Sequence, residues 1–189
     1  EKPVTFARCA LRLSAHPGDG QTVLDSAVTV TPAPSRIEEH TGQFGERVMT
    51  ATIATPHKEL KILATSRMRV DRPLPPRPFA GEPWEAVREQ AFKTRRLDLA
   101  SPAHFLYPTN QTAIHSAMTA FAAESFPAGR PIIEAAFDLA SRIKAGFKYD
   151  PDYTEVATPA IEAFEARRGV CQDYAHIMIA GLKGLGLPT

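Results

Sequence analysis

The sequence predicts an α+β protein with a β-rich, antiparallel front part, a small sandwich, and a helical back part. Three observations carry that expectation. Hydrophobicity alternates with period two up to about residue 70, a proline cluster follows, and beyond it the period becomes that of a helix.

Leu60, Ile62, Ala64, Ser66, Met68 and Val70 occupy alternate positions, mostly separated by Lys and Arg, which is the pattern of a strand with one buried face. Phe6 to Leu13 and Val23 to Val30 are shorter candidates of the same kind. Gly18-Asp19-Gly20 and Gly42-Gln43-Phe44-Gly45 punctuate them as turns. Arg72-Pro73-Leu74-Pro75-Pro76-Arg77-Pro78 cannot lie inside a helix or a central strand, and reads as an extended linker. An SH3 or WW ligand is the functional alternative, but the change of period across it favours a linker. We therefore expect a β domain over 1–72, a linker over 73–82 and a helical domain over 83–189.

Past the linker, Trp84, Val87, Ala91 and Phe92 predict a first helix after Pro83. Ala113, Ala117, Ala120 and Phe121 predict a second, capped by Asn110 or Thr112. Pro131 opens a third, with a stripe through Ile132, Ile133, Ala136, Phe137, Ala140 and Ile143 to Phe147. Thr158-Pro159 caps a short fourth helix ending near Arg167-Arg168-Gly169. The last helix starts at about Cys171 and stops near Leu185, before Gly186 and Pro188. Its expected buried stripe is Ala175, Met178, Ile179, Leu182 and Leu185. Ala180, Gly181 and Gly184 are small enough for neighbouring backbones to approach closely, which marks it as a central helix.

Composition narrows the function. Hydrophobic residues at 43% support an ordinary core rather than disorder. A balance of 22 basic against 21 acidic residues leaves no electrostatic footprint for nucleic acid or an anionic membrane. No apolar run is long enough to span a bilayer, and no leader is read at the start, so a cytoplasmic location is expected. Cys9 and Cys171 are too few and too far apart for a disulfide framework, and are read as two thiols. Phosphate-binding glycine loops and metal-ligand clusters are absent from the sequence, so no cofactor and no metal are expected.

The segment Gly169-Val170-Cys171-Gln172-Asp173-Tyr174-Ala175-His176 carries the chemistry. A thiol at the first residue of a helix faces free N–H groups and the positive end of the macrodipole, both of which favour thiolate. The same N–H groups can stabilise an oxyanion on an attacked carbonyl. Gly169 permits a close approach just before the helix. Asp173 is expected to anchor the helix start to the preceding loop, with Arg167 or Arg168 as its partner. Gln172 and Tyr149 are the remaining candidates beside the thiol. His176, five residues along the same helix, is turned away from the sulfur and reads as a packing residue. A buried, inert cysteine is the plain alternative; the glycine and the helix start weigh against it.

This segment, with Leu182 and Leu185-Gly186-Leu187-Pro188 after it and Phe147-Lys148-Tyr149, Thr158 and Ala160 before it, resembles the nucleophile helix of the bacterial transglutaminase-like superfamily, papain-like cysteine proteases and amidohydrolases among them. Leu11-Arg12-Leu13, Val30-Thr31-Pro32, Phe44-Gly45-Glu46-Arg47-Val48 and Pro56-His57-Lys58-Glu59-Leu60 are similar to the β-rich region that accompanies that family in bacteria. The resemblance implies a Cys-His-Asp triad, of which only Cys171 maps onto this sequence. It implies a thiol-dependent hydrolase or acyl transferase acting on amide bonds of a protein or peptide. The His and Asp are expected beyond Thr189, making the chain the front part of a longer protein and inactive as it stands. An uncovered helical face is expected to promote self-association. The alternative is a non-catalytic interaction module on a degenerate scaffold of this family.

Overall fold

The computed structural model describes residues 2–72 and 81–189. The chain divides into two compact units, Glu1–Leu74 and Pro75–Thr189. Most of the expected linker, residues 73–80, lies outside the described residues.

Among its described residues the first unit holds five strands: β1 (Ala7–Leu11), β2 (Gln21–Thr31), β3 (Arg36–Thr41), β4 (Arg47–Ile53) and β5 (Lys61–Val70). They form two antiparallel sheets, β1-β4-β3 and the ribbon β2-β5. The alternation over 60–70 does fold as a strand, but it buries little. Only Ile62 and Met68 are half-buried, and Val70 is 62% exposed. A two-stranded ribbon has one neighbour per strand and cannot cover a full face. A bulge between Val23 and Asp25 resets the alternation of β2 at Leu24.

The best-buried strand is one that period two does not reveal. β4 buries Val48, Thr50, Ala51 and Ile53 at the centre of its sheet. Burial of adjacent residues erases a clean alternation. Its partner β3, Arg36-Ile37-Glu38-Glu39-His40-Thr41, is too polar to declare itself. The turn read at 42–45 does join this pair, with Gly45 at φ 84° and the Gly42 N–H bonded to the Glu46 carbonyl at 2.7 Å.

The second unit holds α1 (Trp84–Lys93), α2 (Ser116–Ala123), α3 (Ile132–Gly146), β6 (Lys148–Tyr149), α4 (Ala160–Ala166), β7 (Arg168–Gly169) and α5 (Cys171–Gly184). A short 3-10 turn, Pro102–Phe105, lies between α1 and α2. Neither expected residue caps α2. His115 does so, its Nδ1 accepting from the Ala117 N–H, while Thr109 and Thr112 close a turn on each other with their hydroxyls 2.8 Å apart. Thr158 likewise does not cap α4: its hydroxyl accepts from Glu155 N–H, and Pro159 takes the cap position. On α3 the buried positions are Ala135, Leu139 and Ile143, whereas Ile133 and Phe137 are more than two-fifths exposed.

The core gathers Met118, Ala122 and Phe126 around α2, Leu139 and Ile143 of α3, Ala163 and Phe164 of α4, and Ile177, Ala180 and Leu182 of α5. The buried edge of α5 is rotated from the stripe expected of it. Asp173, Ile177, Ala180 and Gly181 are inside together with Leu182, which the expected stripe does include; Ala175 is exposed, and Met178 and Ile179 are half-buried. Apolar residues surround this helix, so hydrophobicity alone does not choose its inner face. The small residues do. A Cβ on Gly181 would lie 2.9 Å from the Ala122 Cβ, and one on Gly184 would strike the Thr119 hydroxyl, so α2 packs directly on the α5 backbone. At the carboxyl end of α5, buried Lys183 donates to the Tyr107 carbonyl at 2.8 Å and the Thr112 hydroxyl at 3.3 Å.

Candidate active site

Cys171 is the first residue of α5, and it is exposed. Several local features fix this helix start. β6 and β7 pair in parallel, Tyr149 opposite Gly169, with Asp150 N–H bonded to the Gly169 carbonyl at 2.9 Å. Arg167 ends α4 in the left-handed conformation, φ 52°, which turns the chain sharply towards β7.

Asp173 closes the arrangement. Its carboxylate is 1% exposed and accepts from the Val170 N–H at 2.7 Å and the Thr154 hydroxyl at 2.6 Å. This is one arm of a capping box: the third helical residue satisfies the N–H of the cap residue, and Val170 has no side-chain acceptor to reciprocate. Gly169 is required for it. A Cβ there would lie 2.5 Å from the Asp173 Oδ2, so the missing side chain makes room for the carboxylate.

Asp173 thus anchors the preceding loop, but not through an arginine. Arg167 lies over the rings of Phe121, Phe147 and Phe164, its guanidinium carbon 4.9, 4.8 and 4.5 Å from their centroids. Arg168 faces Asp150 at 3.6 Å and the ring of Tyr153 at 5.1 Å. Stacking on aromatic faces suits the planar guanidinium. The partners of Asp173 are instead Val170 and Thr154. Nothing in the sequence marks Thr154, which reaches the site from a separate loop. Gln172 holds the same loop, donating from Nε2 to the Val156 carbonyl at 3.2 Å.

Cys171, Tyr174, Ala175 and Met178 share one face of α5, at helical spacings of three, four and seven. Tyr174, Ala175 and Met178 line a pocket of about 520 Å³ with Ala140, Ile143 and Lys144 of α3, and Phe147 and Tyr149 beyond it. The pocket is almost wholly apolar. The Tyr174 hydroxyl is buried with no hydrogen-bond partner among the described residues. Burial raises its pKa above the ordinary tyrosine value, helped by the nearby charges of Asp173 and Asp150. Both cysteines are free, and Cys9 is half-buried on β1 of the other unit. Among the described residues no group of three or more His, Cys, Asp or Glu is placed to hold a metal ion. No helix among them is long and apolar enough to cross a membrane.

This geometry has known relatives. Residues 1–69 match the bacterial transglutaminase-like N-terminal region, and residues 119–189 match the transglutaminase-like superfamily. The chain belongs to the bacterial transglutaminase-like superfamily. An uncharacterized protein of Mycobacterium tuberculosis is 34% identical over 163 residues, 85% of this chain and 50% of that protein. One from Mycobacterium leprae is 25% identical over 191 residues, 100% of this chain and 64% of the relative. A crystal structure of a putative cysteine protease from Cytophaga hutchinsonii shares the fold, with a TM-score of 0.70 at 19% identity, over 99% of this chain and 61% of the other. The chain spans about half the length of this Mycobacterium tuberculosis relative and of its Mycobacterium bovis counterpart. The α+β architecture read from the sequence is thus that of the transglutaminase-like fold.

Proposed function

We propose that Cys171 is the nucleophile of a thiol-dependent hydrolase or acyl transferase acting on amide bonds of proteins or peptides. The observation that supports this most is an exposed sulfur on the first residue of α5, at a helix start fixed by a buried carboxylate. The transglutaminase-like family of the chain and the cysteine-protease description of its structural neighbour support the same chemistry.

The thiolate attacks the amide carbonyl carbon and forms an S–C bond. The carbonyl electrons move onto oxygen, where first-turn N–H groups of α5 stabilise them. Collapse breaks the C–N bond, and the amine leaves with a proton from the general acid. Water or a second amine then attacks the thioester and regenerates the thiol. The base that takes the thiol proton and returns it to the leaving amine is, on this reading, the family's His, oriented by its Asp and following α5 in the full-length protein. Residues 1–189 alone are therefore expected to be inactive.

The test is acylation of the full-length protein by an activated ester. The expected result is a thioester on the peptide carrying Cys171, lost in Cys171→Ser, with no turnover by residues 1–189. A full-length protein that turns over substrate equally well as Cys171→Ser overturns the proposal. One whose Cys171 never acylates favours an interaction module on the same scaffold.

A further inference from the structure

The end of β6 and the loop from it to α4 carry three largely apolar side chains that face solvent. Tyr149 is 62% exposed, Tyr153 46% and Val156 76%. Isolated exposures of this kind are common on protein surfaces. These are not isolated, because each is tethered to a residue within three positions of Cys171. Tyr149 pairs with Gly169, Tyr153 lies against the Arg168 guanidinium, and the Val156 carbonyl is held by Gln172. The Thr154 hydroxyl on Asp173 latches the loop between them. Exposed Asp152 and Glu155 lie on the same loop, and Asp150 faces Arg168, so acidic groups outnumber basic ones along it.

We infer that Tyr149, Tyr153 and Val156 form a specificity rim for the thiol. The rim selects acyl groups with a bulky apolar side chain next to the attacked carbonyl, and its carboxylates repel acidic ones. This rests on Cys171 being the nucleophile. Apolar side chains gain by covering the tyrosine rings and the valine, while a carboxylate would be stripped of water beside like charges. The rim is rigid enough to discriminate, because the Thr154 and Gln172 bonds hold the loop to the same helix that positions the sulfur.

The test uses the full-length protein and a pair of peptidyl chloromethyl ketones that differ only in carrying Phe or Asp next to the ketone. The Sγ–C bond forms as the C–Cl bond breaks, and chloride leaves. Labelling of the Cys171 peptide is followed by mass spectrometry. The Phe probe is expected to label about tenfold faster or more, within the range hydrophobic pockets achieve. Tyr153→Ser and Val156→Ser are expected to bring the ratio towards one. The ratio is the readout, so any loss of folded protein common to both probes cancels. Equal rates with the two probes, or a ratio untouched by both substitutions, overturns the rim and leaves the nucleophile standing. A protein whose Cys171 is labelled by neither probe nor by iodoacetamide overturns both.

Discussion

Asp173 has two donors and no solvent, so its removal leaves the Val170 N–H and the Thr154 hydroxyl without an acceptor. Buried groups orphaned in this way cost about 1–3 kcal/mol each. Asp173→Ala is expected to lose about 2 kcal/mol or more, read from the urea midpoint, and to slow alkylation of Cys171 as the helix start loosens. Tyr174 behaves oppositely. Its hydroxyl is buried without a partner among the described residues, so Tyr174→Phe is expected to leave stability at pH 7 unchanged or slightly raised. The pH dependence follows from its raised pKa. Above the ordinary tyrosine value of ~10, the unfolded chain sheds a proton that the folded one keeps. This contribution is fully present below ~10 and is lost as pH rises through the raised folded value. Urea midpoints taken below and above pH ~10 should show that decline in the native sequence and a shallower one in Tyr174→Phe. At this scale the helix start at Cys171 and the glycine that precedes it at 169 were legible in the sequence. It concealed Thr154, because a hydroxyl that reaches a carboxylate across a loop has no spacing rule.

Among the elements, α5 is set by what it lacks. Gly181 and Gly184 sit where α2 touches the helix backbone, so a methyl group at either must displace a neighbour. Gly184→Ala is expected to destabilise by about 1–3 kcal/mol, as over-packed cores do, despite alanine's better helix propensity. Adding Thr119→Ala should restore part of the loss, because the hydroxyl that the new methyl strikes is gone; a strictly additive pair would mean the two do not meet. Helix positions were legible in the sequence to within a residue or two for α1, α3, α4 and α5. The inner faces of α3 and α5 were not. Apolar residues lie on several sides of both helices, and the neighbour that decides the inward side is far away in sequence. The strands divide in the same way: β5 alternates visibly, whereas β4, the better buried, shows no period.

For the whole molecule, the apolar pocket on the Cys171 face of α5 is an uncovered surface among the described residues. We propose that it draws two copies of residues 1–189 together. Light scattering should show mass rising with concentration, and Met178→Lys should return the chain to a monomer; a monomer at high concentration would contradict this. Family membership was legible because the Cys171 motif packs several constraints into eight consecutive residues. The substrate was not, since exposed residues of the rim obey no packing pattern. Lys183, at the far end of the same helix, offers one more use. Its amine is shut inside and tied to two neutral oxygens, so an acylating reagent reaches it only while the carboxyl end of α5 lifts off the 107–112 stretch. The chain therefore carries its own stopwatch: the rate at which Lys183 is modified, set against its exposed lysines, reports how often this end of the helix breathes.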